Sequence, residues 1–293
     1  LFVWLMRPIE WVGRLIPWVS GYLALLDLSR EGNRYRAPIY RLVLCLSLGV
    51  FYASVARSAD IWLQDRKRYE YGADLTFKVG FTASEDSAIP RGETAEVAEI
   101  PLLPVSEYRA IAGVREAARV GEFRATLLGR RDISYCRLIA VDPSAFSQVG
   151  YFRKDYAADS LAVLMNRLLQ MPEGLLVPSF LADTAQIGDP FPVNVNPYGK
   201  MWSRADFRVA GFFDYFPTMY PQQAPVLIAN LNYLEVLSGG TLPYSMWLKL
   251  SPQFSGQAVI DGVRELGIQP RLIRDLAQAL EDEGNRLERV GVF

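Results

Sequence analysis

The pattern of hydrophobic and polar positions contains one long apolar segment. Residues 37–56 read APIYRLVLCLSLGVFYASVA, and Arg41 is the only charged residue among them. As a helix rising about 1.5 Å per residue, this segment spans about 30 Å, which is the thickness of the hydrocarbon core of a bilayer. Arg41 and Arg57 lie near its ends, where their side chains can extend to the membrane surface. The pattern therefore predicts a transmembrane helix over residues 37–62.

A second interpretation of the same segment is a helix buried in the core of a large soluble protein. Such helices more often contain about 10–14 consecutive apolar residues, whereas a membrane helix needs about 20. Eight residues between Leu42 and Val55 are leucine, valine or phenylalanine. Each of them favours membrane insertion by about 0.3–0.6 kcal/mol. The membrane interpretation is therefore favoured.

The charges that flank the helix indicate its orientation. Six arginines and three acidic residues lie in residues 1–41, whereas the charges after the helix are mixed. Because positive charge is retained in the cytoplasm, residues 63–293 are expected to be extracytoplasmic. Residues 1–36 are expected to contain the end of a preceding membrane helix and a cytosolic or interfacial amphipathic segment. The final Val-Gly-Val-Phe resembles the start of a further membrane helix, so we expect a piece of a longer multi-span protein.

The region after the helix has the patterns of both strands and helices. Residues 73–81 alternate between apolar and polar side chains, which predicts a half-buried strand, and the polar stretch 82–99 predicts a loop. Residues 158–170 have apolar side chains at helical spacing and predict an amphipathic helix. Two short strands that flank Gly121 predict a hairpin. Because strands and helices alternate irregularly, we expect an α+β extracytoplasmic domain attached to a transmembrane α-helix.

The second half of the domain continues this mixed pattern. Residues 206–216 predict a strand with Phe207, Val209, Gly211, Phe213 and Tyr215 on one face. Further strands are predicted over 225–229, 245–250 and 268–273, with a helix over 257–266. A charged helix is predicted over 275–290.

The composition excludes several classes of protein. The chain of 293 residues has a net charge of −1, so a nucleic-acid partner is not expected. It contains no histidine, which excludes a Ser-His-Asp triad and an H-E-x-x-H zinc site. It also lacks the G-x-x-x-x-G-K-[ST] loop that binds ATP phosphates. Cys45 lies in the predicted membrane helix and Cys136 beyond it, so no disulfide framework is implied.

Several short motifs, taken in their order along the chain, resemble a known family. They are Leu23–Arg30, Gly72–Leu75, Val177–Ala182, Ile187–Asp189, Phe207–Gly211 and Asp214–Pro221. With the membrane helix between the first and second motifs, this order resembles the FtsX-like permeases of ABC transporters, including their MacB-type extracytoplasmic core domain. The resemblance covers about residues 23 to 293.

The resemblance implies a permease subunit and not an enzyme. Such subunits lie in the bacterial inner membrane as multi-pass proteins, as dimers or pseudo-dimers of permease halves. A separate cytosolic ATPase subunit binds the ATP, so no cofactor is expected on this chain. In many of them, ATP hydrolysis by that subunit moves the membrane helices and through them the extracytoplasmic domain. The substrates of the family include lipoproteins, peptides and other amphiphiles, whereas some relatives transport nothing and instead activate a cell-wall hydrolase. The missing phosphate-binding loop agrees with this division of labour.

Two groups of residues are candidates for a functional role. Phe212, Phe216 and Tyr220 belong to an aromatic-rich stretch and could expose an apolar surface to a lipid or partner. The alternative is that these rings are buried or anchor loops. The second group is the charged segment 60–70, which could act as a stalk between the membrane helix and the domain. Its individual ion pairs are expected to contribute only about 0–1 kcal/mol each.

Two other functions stay open at this point. The first is a membrane-anchored extracytoplasmic binding or sensor domain without transport, which would have one or two spans and a cytosolic output domain. The second is a membrane-bound enzyme that uses carboxylates or a Ser-Lys pair, although no spacing singles out such a group. A permease instead predicts further spans and a neighbouring ATPase gene.

Overall fold

The computed structural model describes residues 32–79, 103–128, 135–182, 185–196, 203–220 and 224–290. Its internal contacts divide the chain into two compact units, Leu1–Leu63 and Gln64–Phe293. The predictions for residues 1–31, for the loop over 82–99 and for a further helix starting at 291–293 lie outside the described residues. The domain boundaries at residues 36 and 62 stay predictions.

Helix α1 (Gly32–Tyr71) contains the apolar segment. Within the described residues, its part Tyr40–Tyr71 is the one helix long and apolar enough to cross a membrane. None of its most apolar window is buried, and Val50, for example, is 72% exposed. Among the described residues, this exposure agrees with the predicted membrane helix and not with a helix buried in a soluble core.

The second unit is an α+β domain built on one mixed sheet. The strands described in it are β1 (Leu75–Val79), β2 (Val114–Leu127), β3 (Cys136–Val141), β4 (Gly174–Pro178), β5 (Pro190–Asn196), β6 (Ser203–Phe213), β7 (Val226–Asn230), β8 (Tyr244–Leu250) and β9 (Arg271–Asp275). They lie in the order β3-β7-β4-β6-β5-β2-β8-β1-β9, and β2 also pairs with β3.

Strand β2 pairs along both of its edges. Arg124 is opposite Asn196 of β5 on one edge and Arg137 of β3 on the other. The pairings therefore return from β3 through β7, β4, β6 and β5 to β2 and close a ring of six strands.

The predicted hairpin is wrong, because Gly121 continues the strand. A Cβ at this glycine would lie 2.7 Å from the Phe123 ring. Glycine is therefore needed here to leave room for that ring, and it does not form a turn.

Helices cover both faces of the sheet. They are α2 (Val105–Ala110), α3 (Pro143–Val149), α4 (Leu161–Gln170), α5 (Ser179–Ala182), α6 (Leu231–Ser238), α7 (Gly256–Glu265) and α8 (Leu276–Val290). Successive strand residues alternate between two hydrophobic clusters, as the period of a strand requires. Helices α3 and α4 cover one cluster, and α2, α6 and α7 cover the other. Ser160 caps the predicted amphipathic helix α4, whose apolar side is buried as expected.

A β-bulge in β6 changes which residues face each cluster. Val209 is opposite Leu175 of β4, but the next pair along is Gly211 opposite Leu176. Ala210 and Gly211 therefore both lie towards the cluster beneath α4. The prediction that all odd-numbered residues of 207–215 share one face is wrong, since the bulge reverses the alternation after Val209.

Candidate functional site

The end of helix α1 is set by Gly72. Its N–H donates to the Arg68 carbonyl over 2.8 Å, and its φ of +78° is the left-handed conformation in which glycine ends helices. A Cβ at this position would lie 2.3 Å from the Trp247 ring, which is buried in the domain. Gly72 therefore combines a helix end with close packing against β8.

Asp65 connects the last turns of α1 to a loop that precedes α4. Its Oδ1 accepts a hydrogen bond from the Tyr151 hydroxyl over 2.8 Å, and its Oδ2 is 3.1 Å from the Arg153 guanidinium. Arg153 also binds Asp155 through two hydrogen bonds of 2.9 and 2.7 Å. One carboxylate on the helix thus holds two side chains of the loop.

Burial and neighbouring charges shift the pKa values of the residues around Asp65. Burial, followed by the hydrogen bond to Asp65, raises the pKa of Tyr151 above its ordinary value. Burial also raises the pKa of Tyr156 to about 12. The hydrogen bond to Arg153 holds the pKa of the Asp155 carboxyl below its ordinary value. Tyr151 is therefore a neutral donor to Asp65 near neutral pH.

Tyr69 lies one turn further along the same side of α1 and contacts two loops. Its ring has edge contacts with Tyr156 and Tyr220, with centroid distances of 5.6 and 5.8 Å. Its hydroxyl donates to the Met219 carbonyl. Its own carbonyl accepts from the Thr218 N–H over 2.9 Å. Such edge contacts between aromatic rings contribute about 0.5–1.5 kcal/mol beyond the burial of their area.

A third segment contacts the helix from the region of β9 and α8. The Arg274 guanidinium donates to the Glu70 carbonyl over 3.1 Å and lies 4.6 Å from the centre of the Tyr71 ring. Lys67 Nζ is 3.8 Å from Glu283 Oε2 on α8. Asp74, just beyond the helix, accepts from the Leu250 N–H and from Lys249.

We call residues 64–71, together with their contacts in 151–156, 215–220 and 274–283, the helix-end junction. All its members belong to the second unit. Three segments that are distant in sequence hold the same two turns of helix. The arrangement consists of hydrogen bonds, ion pairs and ring contacts, and it is suited to fixing the helix to the domain.

The three aromatic residues selected from the sequence do not form one surface. Phe212 is partly buried and packs against the cluster that α2, α6 and α7 cover. Phe216 is 1% exposed, lies in the other cluster and stacks on Phe146 at 5.7 Å. Tyr220 is partly buried and contacts Tyr69 in the helix-end junction. Their contact with substrate or partner stays a prediction, but Phe216 does not belong to an exposed apolar surface.

Sequence reasoning identified part of the junction and missed the rest. Within the charged segment, Asp65 and Lys67 reach the domain, and they are not only solvated surface charges. Tyr69, Tyr151 and Arg153 were missed. The spacing of Asp65 and Tyr69 is the one available signal, because residues four apart lie on the same side of a helix.

No protein-family model and no curated protein matches this chain. Several solved structures are similar to it. The extracellular domain of the noncanonic ABC-type transporter YknZ from Gram-positive bacteria is 13% identical, with a TM-score of 0.36, and the match covers 72% of this chain and 95% of that domain. The periplasmic region of MacB from Actinobacillus actinomycetemcomitans is 11% identical, with a TM-score of 0.42, over 74% of this chain and 95% of that region.

A third similar structure is a domain of a protein from Porphyromonas gingivalis that is described as a permease. It is 13% identical, with a TM-score of 0.38, over 68% of this chain and 81% of that domain. The first of these is thus a domain of an ABC-type transporter, the second the periplasmic region of MacB and the third a domain described as part of a permease. Because all three TM-scores lie below 0.5, we infer the function from the chain's own residues.

Proposed function

We propose that this chain is part of a permease subunit of an ABC transporter in the bacterial inner membrane. In this proposal a cytosolic ATPase subunit hydrolyses ATP, the membrane helices move, and α1 transfers that movement to the extracytoplasmic domain. The substrate would be a lipoprotein, a peptide or another amphiphile, handled outside the bilayer. The permease halves would work as a dimer or pseudo-dimer.

The helix-end junction is the observation that supports this proposal most directly. The apolar span and the residues that contact the domain belong to one helix, α1. Asp65, Tyr69 and Lys67 fix its last turns to three separate segments of the domain. A helix that only anchored a binding domain would need no such attachment, whereas movement can be transferred through a contiguous packed network.

The source of energy is inferred from the sequence. The given sequence has no G-x-x-x-x-G-K-[ST] phosphate-binding loop, and we therefore assign ATP binding to a partner subunit. The first test is therefore co-purification of the full-length protein with the product of a neighbouring ATPase gene. If the protein co-purifies with a soluble signalling domain and without an ATPase, the result supports the sensor interpretation and contradicts the permease proposal.

The second test compares two insertions of equal length between Leu63 and Gln64, outside the helix-end junction. Four alanines continue the helix and change its rotation by about 40°, since an α-helix has about 3.6 residues per turn. Four glycines disfavour the helix by about 1 kcal/mol per residue relative to alanine. Both leave every contact of the junction in place, so the stability of the domain should be unchanged in both.

The readouts are ATP hydrolysis and the ATP-dependent change in distance between fluorophores at the exposed positions Arg57 and Lys154, with Cys45 replaced by serine. We expect the four-alanine protein to keep most of the distance change and the four-glycine protein to lose it. If the two insertions behave alike, whether both active or both inactive, helix continuity does not carry the movement.

A further inference from the structure

The domain contains a cavity of about 330 Å³ on the face of the sheet that carries Trp247. Its floor comes from neighbouring strands. Thr76 and Lys78 of β1 are opposite Trp247 and Ser245 of β8, so these side chains lie on the same face. Glu122 of β2 and Ile139 of β3 form the corresponding pair on the other side of β8. The walls come from Tyr71, Thr218 and residues 272–274.

Cationic side chains outnumber anionic ones in the cavity. Lys78, Arg137 and Arg274 line it together with one carboxylate, Glu122. Arg137 donates to Glu122 over 2.7 Å and to the Thr218 carbonyl over 2.8 Å, so it is held in place. Lys78 is exposed, and within the described ranges we find no ion pair or hydrogen bond of its ammonium group. Arg274 also lies 3.9 Å from the Glu70 carboxylate, just outside the lining, so Lys78 is the one lining cation without a carboxylate partner in the described ranges.

Apolar surface lies beside these charges. Val120, Ile139 and Trp247 contribute to the cavity, and Leu272 and Ile273 stand at its wall with 68% and 41% of their surface exposed. An exposed apolar wall next to a cationic floor suits a molecule that is itself apolar at one end and anionic at the other.

Backbone strain is concentrated at the same place. Thr218 and Leu272, with φ of 67° and 49°, are the non-glycine residues with left-handed φ in the described part of the chain, and both line this cavity. This conformation is unfavourable for a residue with a Cβ, and Leu272 recovers little of the cost by burial because it is largely exposed. Leu272 lies at a bulge of β9, where Thr76 and Lys78 are opposite Arg274 and Arg271, and such bulges are common next to functional sites.

We propose that this cavity binds an alkyl phosphate group, that is, a phosphate monoester that carries an apolar chain. Lys78, which has no carboxylate partner in the described ranges, would pair with the phosphate, and Arg137 and Arg274 would add charge-assisted hydrogen bonds to its oxygens. Leu272 and the apolar floor would contact the chain. The site does not depend on transport, so it can exist whether or not the protein is a permease subunit.

The test titrates the full-length protein in maltoside micelles with hexyl phosphate and follows binding by calorimetry. Lys78→Glu should weaken binding about tenfold or more, because it reverses a charge that faces the phosphate. The matched control is Lys154→Glu, which reverses another exposed lysine outside the cavity and should have no effect. Leu272→Ala should weaken binding about three- to tenfold, whereas Val236→Ala, at a position 79% exposed, should not.

Two further ligands separate the contributions of charge and chain. Hexyltrimethylammonium has the same chain and the opposite charge, and inorganic phosphate has the charge without the chain. Both should bind at least tenfold more weakly than hexyl phosphate. The proposal is overturned if wild-type protein shows no saturable binding of hexyl phosphate, if either other ligand binds as tightly, or if Lys78→Glu and Lys154→Glu weaken binding equally.

Discussion

The Tyr151 hydroxyl donates a hydrogen bond to Asp65 Oδ1 over 2.8 Å, between residues 86 positions apart in the sequence. Asp65 stands on the last turns of α1, and Tyr151 precedes the helix that covers one face of the sheet. The Tyr151 N–H also donates to the Gly72 carbonyl over 2.7 Å. One residue of the domain therefore holds both the side of the helix and its end.

Replacing Asp65 with alanine should destabilise the domain by about 1–3 kcal/mol, because the Tyr151 hydroxyl and Arg153 both lose a charged acceptor. Asp65→Asn should cost less, since the amide oxygen can still accept one hydrogen bond. Urea unfolding of the full-length protein, followed by near-ultraviolet circular dichroism, measures the difference.

The control for this series is Asp155→Asn. Asp155 binds the same arginine but its side chain is 60% exposed, so its loss should leave the unfolding midpoint unchanged. An Asp65→Ala protein as stable as the wild type would show that the contact does not hold the helix.

Gly72→Ala and Gly239→Ala form a second matched pair. Both glycines have a left-handed φ, of +78° and +71°, so both substitutions incur about 1–2 kcal/mol of backbone strain. A Cβ at Gly239 meets nothing within 4 Å, whereas one at Gly72 would meet the Trp247 ring at 2.3 Å. We expect Gly72→Ala to cost at least about 1 kcal/mol more than Gly239→Ala, because Trp247 has to shift.

Thermal unfolding followed by intrinsic fluorescence measures this difference. If the two variants melt together, the approach of Trp247 to the helix end has no energetic consequence. A loss of stability that is larger for Gly239→Ala would contradict the assignment of the extra cost to packing.

Phe216→Ala should destabilise the domain by about 3–5 kcal/mol, which is typical of removing a buried aromatic ring. The ring is 1% exposed and packs against Phe146, Phe152 and Phe213. Phe180→Ala, at a position 59% exposed, is the control and should change stability little. Equal unfolding midpoints for the two variants, measured in urea, would mean that Phe216 is not part of the core.

Elements with a strong local pattern could be predicted from the sequence. Helix α1, strand β1 and helix α4 follow from runs or periods of apolar residues. The apolar residues of β1 and α4 that the periods place on one face are buried, and Thr76 of β1 is buried as well. Helix α6 was missed because it is short and directly follows a buried strand. Its Asn230 cap, which accepts from the Asn232 N–H, is the signal that could have found it.

Features that depend on distant partners could not be predicted in this way. Glycine is typical of turns, and Gly121 therefore suggested one. The pairing of β2 with β3, β5 and β8 instead keeps the strand extended there. The bulge after Val209 depends on its register with β4. The contact of Asp65 with Tyr151 in the helix-end junction likewise forms only when the whole domain folds. The sequence around either residue contains no signal that identifies its partner.

Alkaline pH should weaken the domain through its buried tyrosines, and Tyr156 gives the clearest case. Burial raises its pKa from 10.0 to about 12 in the folded protein, so the unfolded chain loses this proton first. The contribution of Tyr156 to stability is therefore complete below about pH 10 and is lost as the pH rises towards 12. Tyr156→Phe removes the titrating group, so its urea midpoint should fall less steeply over this interval than that of the wild type. A Tyr156→Phe slope equal to that of the wild type would exclude Tyr156 as a source of the alkaline sensitivity.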